Sequence, residues 1–259
     1  MKTVLVTGAR SGIISKVVDK LLLDYYIYLT VHIESELKAV KKKYQNIKNV
    51  SCFKLDVTNP RDREKVQNLK VDIFISNAAI GESGSVLEMN IDRIRKNFEV
   101  NVFSNFELTQ IILQNMVKRG KGKLIIMASL AGEFPIPFLG SYCATKASII
   151  KLSECLNMEM KIKGARVDVS IIEPGFYATG FNELIMDNKY DEDDFIEFFN
   201  RQIKLIRTSE NLALKLLEKK RLDSIVNKIV KCVCDENPRL YYRAPFLQKT
   251  FVKFYLLFK

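Results

Sequence analysis

Residues Val4–Leu23 read VLVTGARSGIISKVVDKLLL, and this stretch decides the fold class. A short apolar run leads into a turn with two glycines, and an amphipathic helix follows. Gly8 permits a tight turn, and Gly12 lets a phosphate approach the backbone where the helix begins. The helix end supplies free N–H donors and the positive end of the helix dipole. The stretch therefore predicts a strand, a phosphate-binding turn and a helix.

Apolar runs and amphipathic helical stretches alternate along the rest of the chain. Strands that alternate with helices indicate an α/β fold with a Rossmann-type, doubly wound parallel sheet and right-handed crossovers. The sequence shows no internal repeat, low-complexity tract or linker, so a single domain is expected over residues 1–259. Further strands are predicted at residues 27–32, 50–55, 71–76, 124–128, 167–172 and 240–242.

Two late segments differ from this alternation. Residues 176–220 are first acidic and apolar and then basic and amphipathic, which predicts a helical lid over a substrate site. Residues 243–259 mix aromatic, aliphatic and lysine side chains. This basic apolar tail could lie on a membrane surface, or it could pack on the lid or on another subunit.

Composition excludes several classes of function. The net charge is +11, but the lysines are scattered, which indicates solvated faces and no nucleic-acid partner. The five cysteines and the single histidine, His32, match neither a disulfide framework nor a zinc site. We therefore expect no metal and reduced thiols in a cytoplasmic protein. No apolar run is long enough to span a membrane, and the amino terminus is typical of a strand rather than a signal peptide.

The stretch Ser129–Lys146 reads SLAGEFPIPFLGSYCATK and contains a candidate acid–base pair. Tyr142 and Lys146 are four residues apart, so their side chains share one face of a helix. An ammonium near a phenol lowers the pKa of the phenol, which then exchanges protons near neutral pH. Ser129 follows a predicted strand and would lie at the carboxyl edge of the sheet, where ligands of open α/β sheets bind. Taken alone, the Tyr–Lys spacing could also be a chance helical pair.

The end of the second strand bears on the choice of nucleotide. A carboxylate at this position would bind the 2′-hydroxyl of NAD, and the position here is near His32. Arg10, inside the glycine turn, can instead pair with a 2′-phosphate through its guanidinium group. The residues therefore favour NADP, while Glu34 keeps NAD open as the alternative. Asp56, at the end of the third strand, could accept the adenine amino group or could cap a helix.

Seven motifs occur in one order along the chain: TGARSGI, LDVT, SNAA, EVNVF, ASLAG, YCATK and EPGFYAT. Together they resemble the short-chain dehydrogenase/reductase family in its compact one-domain form. The resemblance extends from Thr3 to about Tyr242. It implies an oxidoreductase that transfers hydride between NADP(H), or NAD, and a carbonyl or alcohol substrate.

The resemblance also implies roles for individual residues. Tyr142 would be the general acid or base, and Lys146 would lower its pKa and bind the nicotinamide ribose. Ser129 would hydrogen-bond the substrate oxygen. Asn101 would hold a water that relays protons to Lys146, although its position among apolar residues also fits a structural asparagine. The cofactor would contact Gly8, Arg10, Ser11, Gly12, Ile13, His32, Asp56, Val57, Asn77, Ala78, Tyr142, Lys146, Pro174, Gly175 and Thr179.

Two positions depart from the family pattern: Ile14 and Ala79 stand where glycines are usual. A β-branched Ile14 could shift the first helix and weaken nucleotide binding. That departure keeps a nucleotide-binding regulator or structural homologue without catalysis as the alternative function.

The carboxyl-terminal sequence NPRLYYRAP is similar to family members that act on steroids, retinoids and other lipophilic carbonyls. A bulky or lipophilic substrate is therefore expected, with secondary metabolites and peptides left open. The resemblance further implies a homodimer or homotetramer that associates through the helices carrying Asn101 and Tyr142.

Overall fold

The computed structural model describes residues 1–181, 185, 198–199, 201–202, 208, 217–248 and 250. Its strands form one parallel sheet in the spatial order β3-β2-β1-β4-β5-β6-β7, which confirms the predicted doubly wound fold. The strands are β1 (Lys2–Val6), β2 (Tyr25–Val31), β3 (Val50–Lys54), β4 (Ile73–Ser76), β5 (Gly122–Met127), β6 (Val167–Pro174) and β7 (Tyr241–Ala244). The described helices are α1 (Gly12–Leu21), α2 (Glu34–Tyr44), α3 (Pro60–Glu64), α4 (Ile91–Phe98), α5 (Asn105–Lys118), α6 (Gly140–Lys163) and α7 (Asp223–Cys234).

The sheet is buried on both faces because helices cover it on both sides. Val4 and Val6 of β1 face a core shared with α1, α2 and α7. Leu5, between them, faces the opposite core, which α5 and α6 complete. Strands buried on both faces are continuous apolar runs, which is why the strand positions are readable in the sequence.

The order of the strands reverses at β1. This strand pairs with β2 on one side and with β4 on the other, so their following loops diverge and leave a crevice. The glycine turn after β1, Asn77 after β4, Ser129 after β5 and Gly175 after β6 all follow the carboxyl ends of parallel strands. The fold therefore gathers the predicted site residues at one edge of the sheet.

The helix predicted over residues 91–118 contains a short π-helical segment, Glu99–Ser104, between α4 and α5. Asn101 lies in this segment. Segments of this kind are frequent at functional sites because they insert one extra residue into the helix.

Only the two ends of the predicted lid fall among the described residues. Residues 176–178 and 217–219 pair through a parallel bridge between Tyr177 and Lys219, with Ala178 N donating to Lys219 O at 3.1 Å. The rest of the lid, apart from a few single residues, and residues 251–259 of the tail lie outside the described residues. The lid and the single domain over residues 1–259 therefore stay predictions. Within the described part of the chain, no helix is long and apolar enough to cross a membrane.

Candidate active site

The glycine turn after β1 has a backbone that only glycine adopts without strain. Gly8 has φ +65°, in the left-handed region, and a Cβ there would lie 2.8 Å from Asn77 Nδ2. Asn77 Nδ2 donates to the carbonyls of Thr7 and Gly8 at 3.0 Å each. Asn77 therefore ties the turn after β1 to the end of β4, beside Ala78.

Helix α1 begins at Gly12, directly after Ser11, as the phosphate-binding prediction requires. The space above this helix start is open, since a Cβ on Gly12 would meet only the Leu222 side chain, at 3.9 Å. Ile13 and Ile14 are both buried in the core that α7 completes. Ile14, which stands in place of a glycine, is thus accommodated in the core. Its effect on nucleotide binding stays a prediction.

The adenosine end of the crevice contains an ion-pair cluster that differs from the prediction. Arg10 Nη1 lies 2.9 Å from Glu36 Oε1, and His32 Nδ1 lies 3.2 Å from Glu36 Oε2. Glu34 is exposed and forms none of these contacts. The carboxylate at this position is therefore Glu36 and not Glu34. Its spacing of four residues from His32, on the first turn of α2, was the sequence signal that could have identified it.

Asp56 and Val57 follow β3. Asp56 Oδ1 accepts hydrogen bonds from Thr58 N at 2.9 Å and from Thr58 Oγ1 at 2.7 Å, which closes the turn. The cap of α3 is Asn59, so the helix-cap alternative for Asp56 is wrong. Val57 is buried. The adenine contact of these two residues stays a prediction.

Ser129, Tyr142 and Lys146 converge at the carboxyl edge. Ser129 precedes a short 3₁₀ turn, and its Oγ accepts from Ala131 N at 3.1 Å. The Ser129 hydroxyl is close enough to the Tyr142 phenol to act on the pKa of that phenol. Tyr142 and Lys146 share one face of α6, with Lys146 Nζ 5.6 Å from the centre of the Tyr142 ring. Lys146 Nζ donates to Met127 O at 3.1 Å, which fixes the ammonium against the end of β5.

Burial controls the protonation of this pair. Burial raises the pKa of Tyr142 above its ordinary value, and the nearby Ser129 hydroxyl offsets only part of that rise. Burial also lowers the pKa of Lys146 to about 8. Desolvation of the phenolate is the largest influence on the Tyr142 pKa, and it acts in the direction opposite to the one expected from Lys146. The expectation that Lys146 lowers this pKa stays a prediction. Tyr142 is a phenol at neutral pH, the form that donates a proton.

Asn101 braces the helix that carries this pair. Its Oδ1 accepts from Ile80 N at 2.8 Å, and its Nδ2 donates to Ile80 O at 2.9 Å and to Thr145 Oγ1 at 3.2 Å. These contacts agree with the structural interpretation of Asn101. A cavity of about 10 Å³, room for roughly one water molecule, also lies between Asn101 and Lys146. The geometry thus has space for the predicted water as well.

The turn after β6 is held by the tail of the chain. Gly175 N donates to Ala244 O at 2.8 Å, and a Cβ on Gly175 would collide with the Gln248 side chain. Gln248 Oε1 accepts from Phe176 N at 2.8 Å. Thr179 Oγ1 lies 3.4 Å from Phe181 N, at the start of the predicted lid. Pro174, Gly175 and Thr179 are therefore at the edge where Ser129 lies, as predicted.

Three apolar side chains close over Tyr142, and the sequence did not identify them individually. The Phe181 ring lies 5.9 Å from the Tyr142 ring, and Ile185 packs in the same cluster as Leu139 and Tyr142. Gly81 makes this closure possible, because a Cβ there would collide with Ile185. The surface that faces Tyr142 is consequently apolar.

A buried acidic pair behind the site was also missed. Glu173, the first residue of EPGFYAT, is fully buried, and Arg243 of β7 donates to both Glu173 and Glu133. Burial and the contact with Glu133 raise the pKa of Glu173 to about 8, against the influence of Arg243. The cluster links the loop after Ser129 to the turn before Gly175. An arginine on the neighbouring strand is visible only once the sheet order is known.

Comparison with known proteins agrees with this geometry. The family model for short chain dehydrogenases matches residues 2–189. An NADPH-dependent 3-dehydrocapnine reductase of Ornithobacterium rhinotracheale is 26% identical over 93% of this chain and 87% of its own. A 3-ketodihydrosphingosine reductase of Bacteroides thetaiotaomicron is 27% identical over 96% of this chain and 90% of its own.

Solved structures share the fold. A short chain dehydrogenase/reductase of Burkholderia phymatum in complex with NAD superposes with a TM-score of 0.81 at 20% identity, over 97% of this chain and 92% of that one. A short-chain dehydrogenase of Sphingobium yanoikuyae in complex with NADPH gives 0.73 at 20% identity, over 100% and 96%. The family model covers most of the chain and its motifs meet at one edge of the sheet. This protein therefore belongs to the short-chain dehydrogenase family.

Proposed function

We propose that the protein is an NADP(H)-dependent carbonyl reductase or alcohol dehydrogenase. The observation that carries the proposal is the convergence of Ser129, Tyr142 and Lys146 beside the glycine turn at the carboxyl edge of one sheet. Motif order alone would allow these residues to lie apart. Their meeting at the crevice supports one acid–base centre next to a nucleotide site.

The side chains have distinct proposed roles. The bound nicotinamide supplies or accepts the hydride. Tyr142 donates its phenolic proton to the substrate oxygen during reduction, and Ser129 holds that oxygen by a hydrogen bond. Lys146 stabilises the phenolate left behind and binds the nicotinamide ribose. Asn101 holds α6 in place through Thr145 and contributes to the water site beside Lys146.

Residues of the crevice fit a dinucleotide. The open start of α1 at Ser11, Gly12 and Ile13 would hold the pyrophosphate, next to Gly8. The edges of adenine and its ribose would be held by Asp56, Val57, Asn77 and Ala78. Pro174, Gly175 and Thr179 would surround the nicotinamide. Each of these roles rests on placement at the same sheet edge.

We propose NADP(H) as the cofactor, with NAD(H) as the alternative. Arg10 is largely exposed, so its guanidinium can turn from Glu36 towards a 2′-phosphate. One relative is named as NADPH-dependent, and solved neighbours contain NADPH in one case and NAD in another. The Glu36 carboxylate would repel the 2′-phosphate of NADP(H), whereas it could accept a hydrogen bond from the ribose hydroxyl of NAD(H). The balance between Arg10 and Glu36 decides the preference.

Replacing Arg10 with alanine is expected to weaken NADPH binding by about 10–150-fold and to change NADH binding by less than about threefold. A charge-assisted pair with phosphate contributes roughly 1.5–3 kcal/mol. Calorimetric titration of both nucleotides measures the ratio. Arg221→Ala, which removes an exposed arginine paired with Asp223, is the matched control. Equal losses for the two nucleotides would contradict the role of Arg10.

We propose a bulky, lipophilic substrate. The side chains facing Tyr142 are Phe181, Ile185 and Leu139, and they offer no charged group. The relative from Bacteroides thetaiotaomicron is named a 3-ketodihydrosphingosine reductase, which supports a substrate of the same class. We further propose that subunits associate through the helical segment that carries Asn101, where Phe103 is exposed, and through α6, where Leu152 and Met158 are exposed. A cytoplasmic location remains our prediction.

The function is tested by following NADPH absorbance with a panel of ketones. We expect consumption to be faster with long-chain or polycyclic ketones than with acetone or diacetyl. Nucleotide binding without turnover of any carbonyl or alcohol would favour the non-catalytic alternative. The accommodation of Ile14 in the core supports an intact nucleotide turn and therefore the enzymatic function.

A further inference from the structure

A surface beside the lid combines exposed apolar and basic side chains. We define the lid-base surface as Leu217, Phe246 and Leu247 with the basic run Lys219, Lys220 and Arg221. Phe246 and Leu247 are 73% and 71% exposed, and Leu217 is 47% exposed. The neighbouring Lys219, Lys220 and Arg221 are exposed as well, with Arg221 paired to Asp223.

One side chain brings these two parts of the chain together. Gln248 Nε2 donates to Leu217 O at 2.7 Å, and its Oε1 accepts from Phe176 N at 2.8 Å. The start of the tail therefore lies against the end of the lid segment and against the turn after β6. Apolar residues that are separated by about thirty positions in the sequence thus share one surface.

The chemistry of this surface matches a lipid surface of negative charge. Leu217, Phe246 and Leu247 lie beside the basic residues Lys219, Lys220 and Arg221. The sequence that continues from Phe246, FLQKTFVKFYLLFK, has the same composition, with three lysines and no acidic residue. Aromatic and aliphatic side chains next to lysines are typical of segments that lie in the membrane interface. The basic run Lys219–Arg221 and the net charge of +11 add attraction to anionic headgroups. A protein partner would need an apolar patch that covers Leu217, Phe246 and Leu247 and, beside it, acidic side chains that neutralise the basic run Lys219–Arg221.

We propose that the lid-base surface docks on anionic lipid bilayers. Docking brings the entrance of the candidate site, at the turn after β6, next to the bilayer. If the proposed function holds, a lipophilic ketone would then reach Tyr142 from the membrane rather than through water. The docking itself does not depend on the reaction.

The test is sedimentation of the full-length protein with sucrose-loaded vesicles. We expect binding to vesicles that contain phosphatidylglycerol, little binding to pure phosphatidylcholine, and release as the salt concentration rises. Phe246→Ser/Leu247→Ser is expected to abolish binding. Lys219→Glu/Lys220→Glu is expected to weaken it by at least about thirtyfold, since each basic residue near an anionic surface contributes roughly a factor of five.

Matched variants separate this surface from general charge and exposure. Lys41→Glu/Lys42→Glu makes the same change of net charge on α2. Leu23→Ser/Ile162→Ser removes two apolar residues of similar exposure elsewhere. Both should retain the vesicle binding of the unmodified protein. Absence of binding to anionic vesicles, or equal losses in test and control variants, would overturn the proposal.

Two further readouts complete the test. If Phe246→Ser/Leu247→Ser changes the mass in sedimentation velocity, the surface is a contact between subunits and the lipid proposal is wrong. Turnover of a water-soluble ketone by the same variant should match that of the unmodified protein. Vesicle binding by a protein without any turnover would retain this proposal and reject the proposed function.

Discussion

Tyr142→Phe is expected to lower kcat for carbonyl reduction by about 10²–10⁴-fold, the usual contribution of a positioned general acid. The variant removes one oxygen and leaves the ring among Phe181, Leu139 and Ile185. Packing at the site is therefore retained, and NADPH affinity should change by less than about threefold. Single-turnover kinetics and a calorimetric titration of NADPH measure the two quantities.

Tyr242→Phe is the matched control for this experiment. Tyr242 is equally buried, and its hydroxyl accepts a hydrogen bond from Arg239 N at 3.0 Å, away from Ser129. Loss of that bond should cost about 1 kcal/mol of stability and leave kcat nearly unchanged. If Tyr142→Phe retained more than a tenth of the activity, another group would have to donate the proton.

Lys146→Met is expected to stabilise the protein without nucleotide at pH 7 while it removes activity. Lys146 is almost fully buried, and burial lowers its pKa from 10.5 to about 8. Each pKa unit corresponds to about 1.4 kcal/mol. The loss of the hydrogen bond to Met127 O offsets part of this gain. The free energy of unfolding should therefore increase by roughly 1–3 kcal/mol.

The lowered pKa of Lys146 also determines how the stability difference between the two proteins changes with pH. Below pH 8 the lysine is charged in both the folded and the unfolded chain, and the folded state bears the full cost of burying the ammonium. Between pH 8 and 10.5 the unfolded chain binds more protons, so this contribution to stability rises with pH. The advantage of Lys146→Met should consequently shrink as the pH rises through that window.

Urea unfolding of both proteins at pH 7 and pH 9.5 measures the change. Lys151→Met, on the same helix but largely exposed, should stay within about 0.5 kcal/mol of the unmodified protein at both values. A Lys146→Met variant that is less stable at pH 7, or a difference independent of pH, would show that the buried ammonium is compensated. Compensation of that kind would mean that burial of the Lys146 ammonium costs the folded protein little stability.

Local patterns were sufficient for the fold and for most positions of the site. Continuous apolar runs mark strands buried on both faces, and glycine at Gly8 and Gly12 marks a turn whose geometry is set by the backbone alone. The spacing of Tyr142 and Lys146 places them on one helical face in any fold that keeps the helix. These features depend on residues close together in the sequence.

Features that depend on distant residues were not predictable in this way. The pairing of Arg10 with Glu36, the cover of Phe181 and Ile185 over Tyr142, and the contact of Gln248 with Leu217 all join separate segments. The direction of the Tyr142 pKa shift also belongs here, since burial by the surrounding chain is its largest cause.

The sequence by itself determined the order of strands and helices, the glycine turn before α1 and the placement of Tyr142 and Lys146 on one helical face, because periodicity and spacing are local properties. Only the tertiary structure decided which groups shield, pair with or desolvate those residues. Side chains far apart in the chain meet only after the sheet has formed, and their packing then lowers the pKa of Lys146 and places apolar side chains against Tyr142.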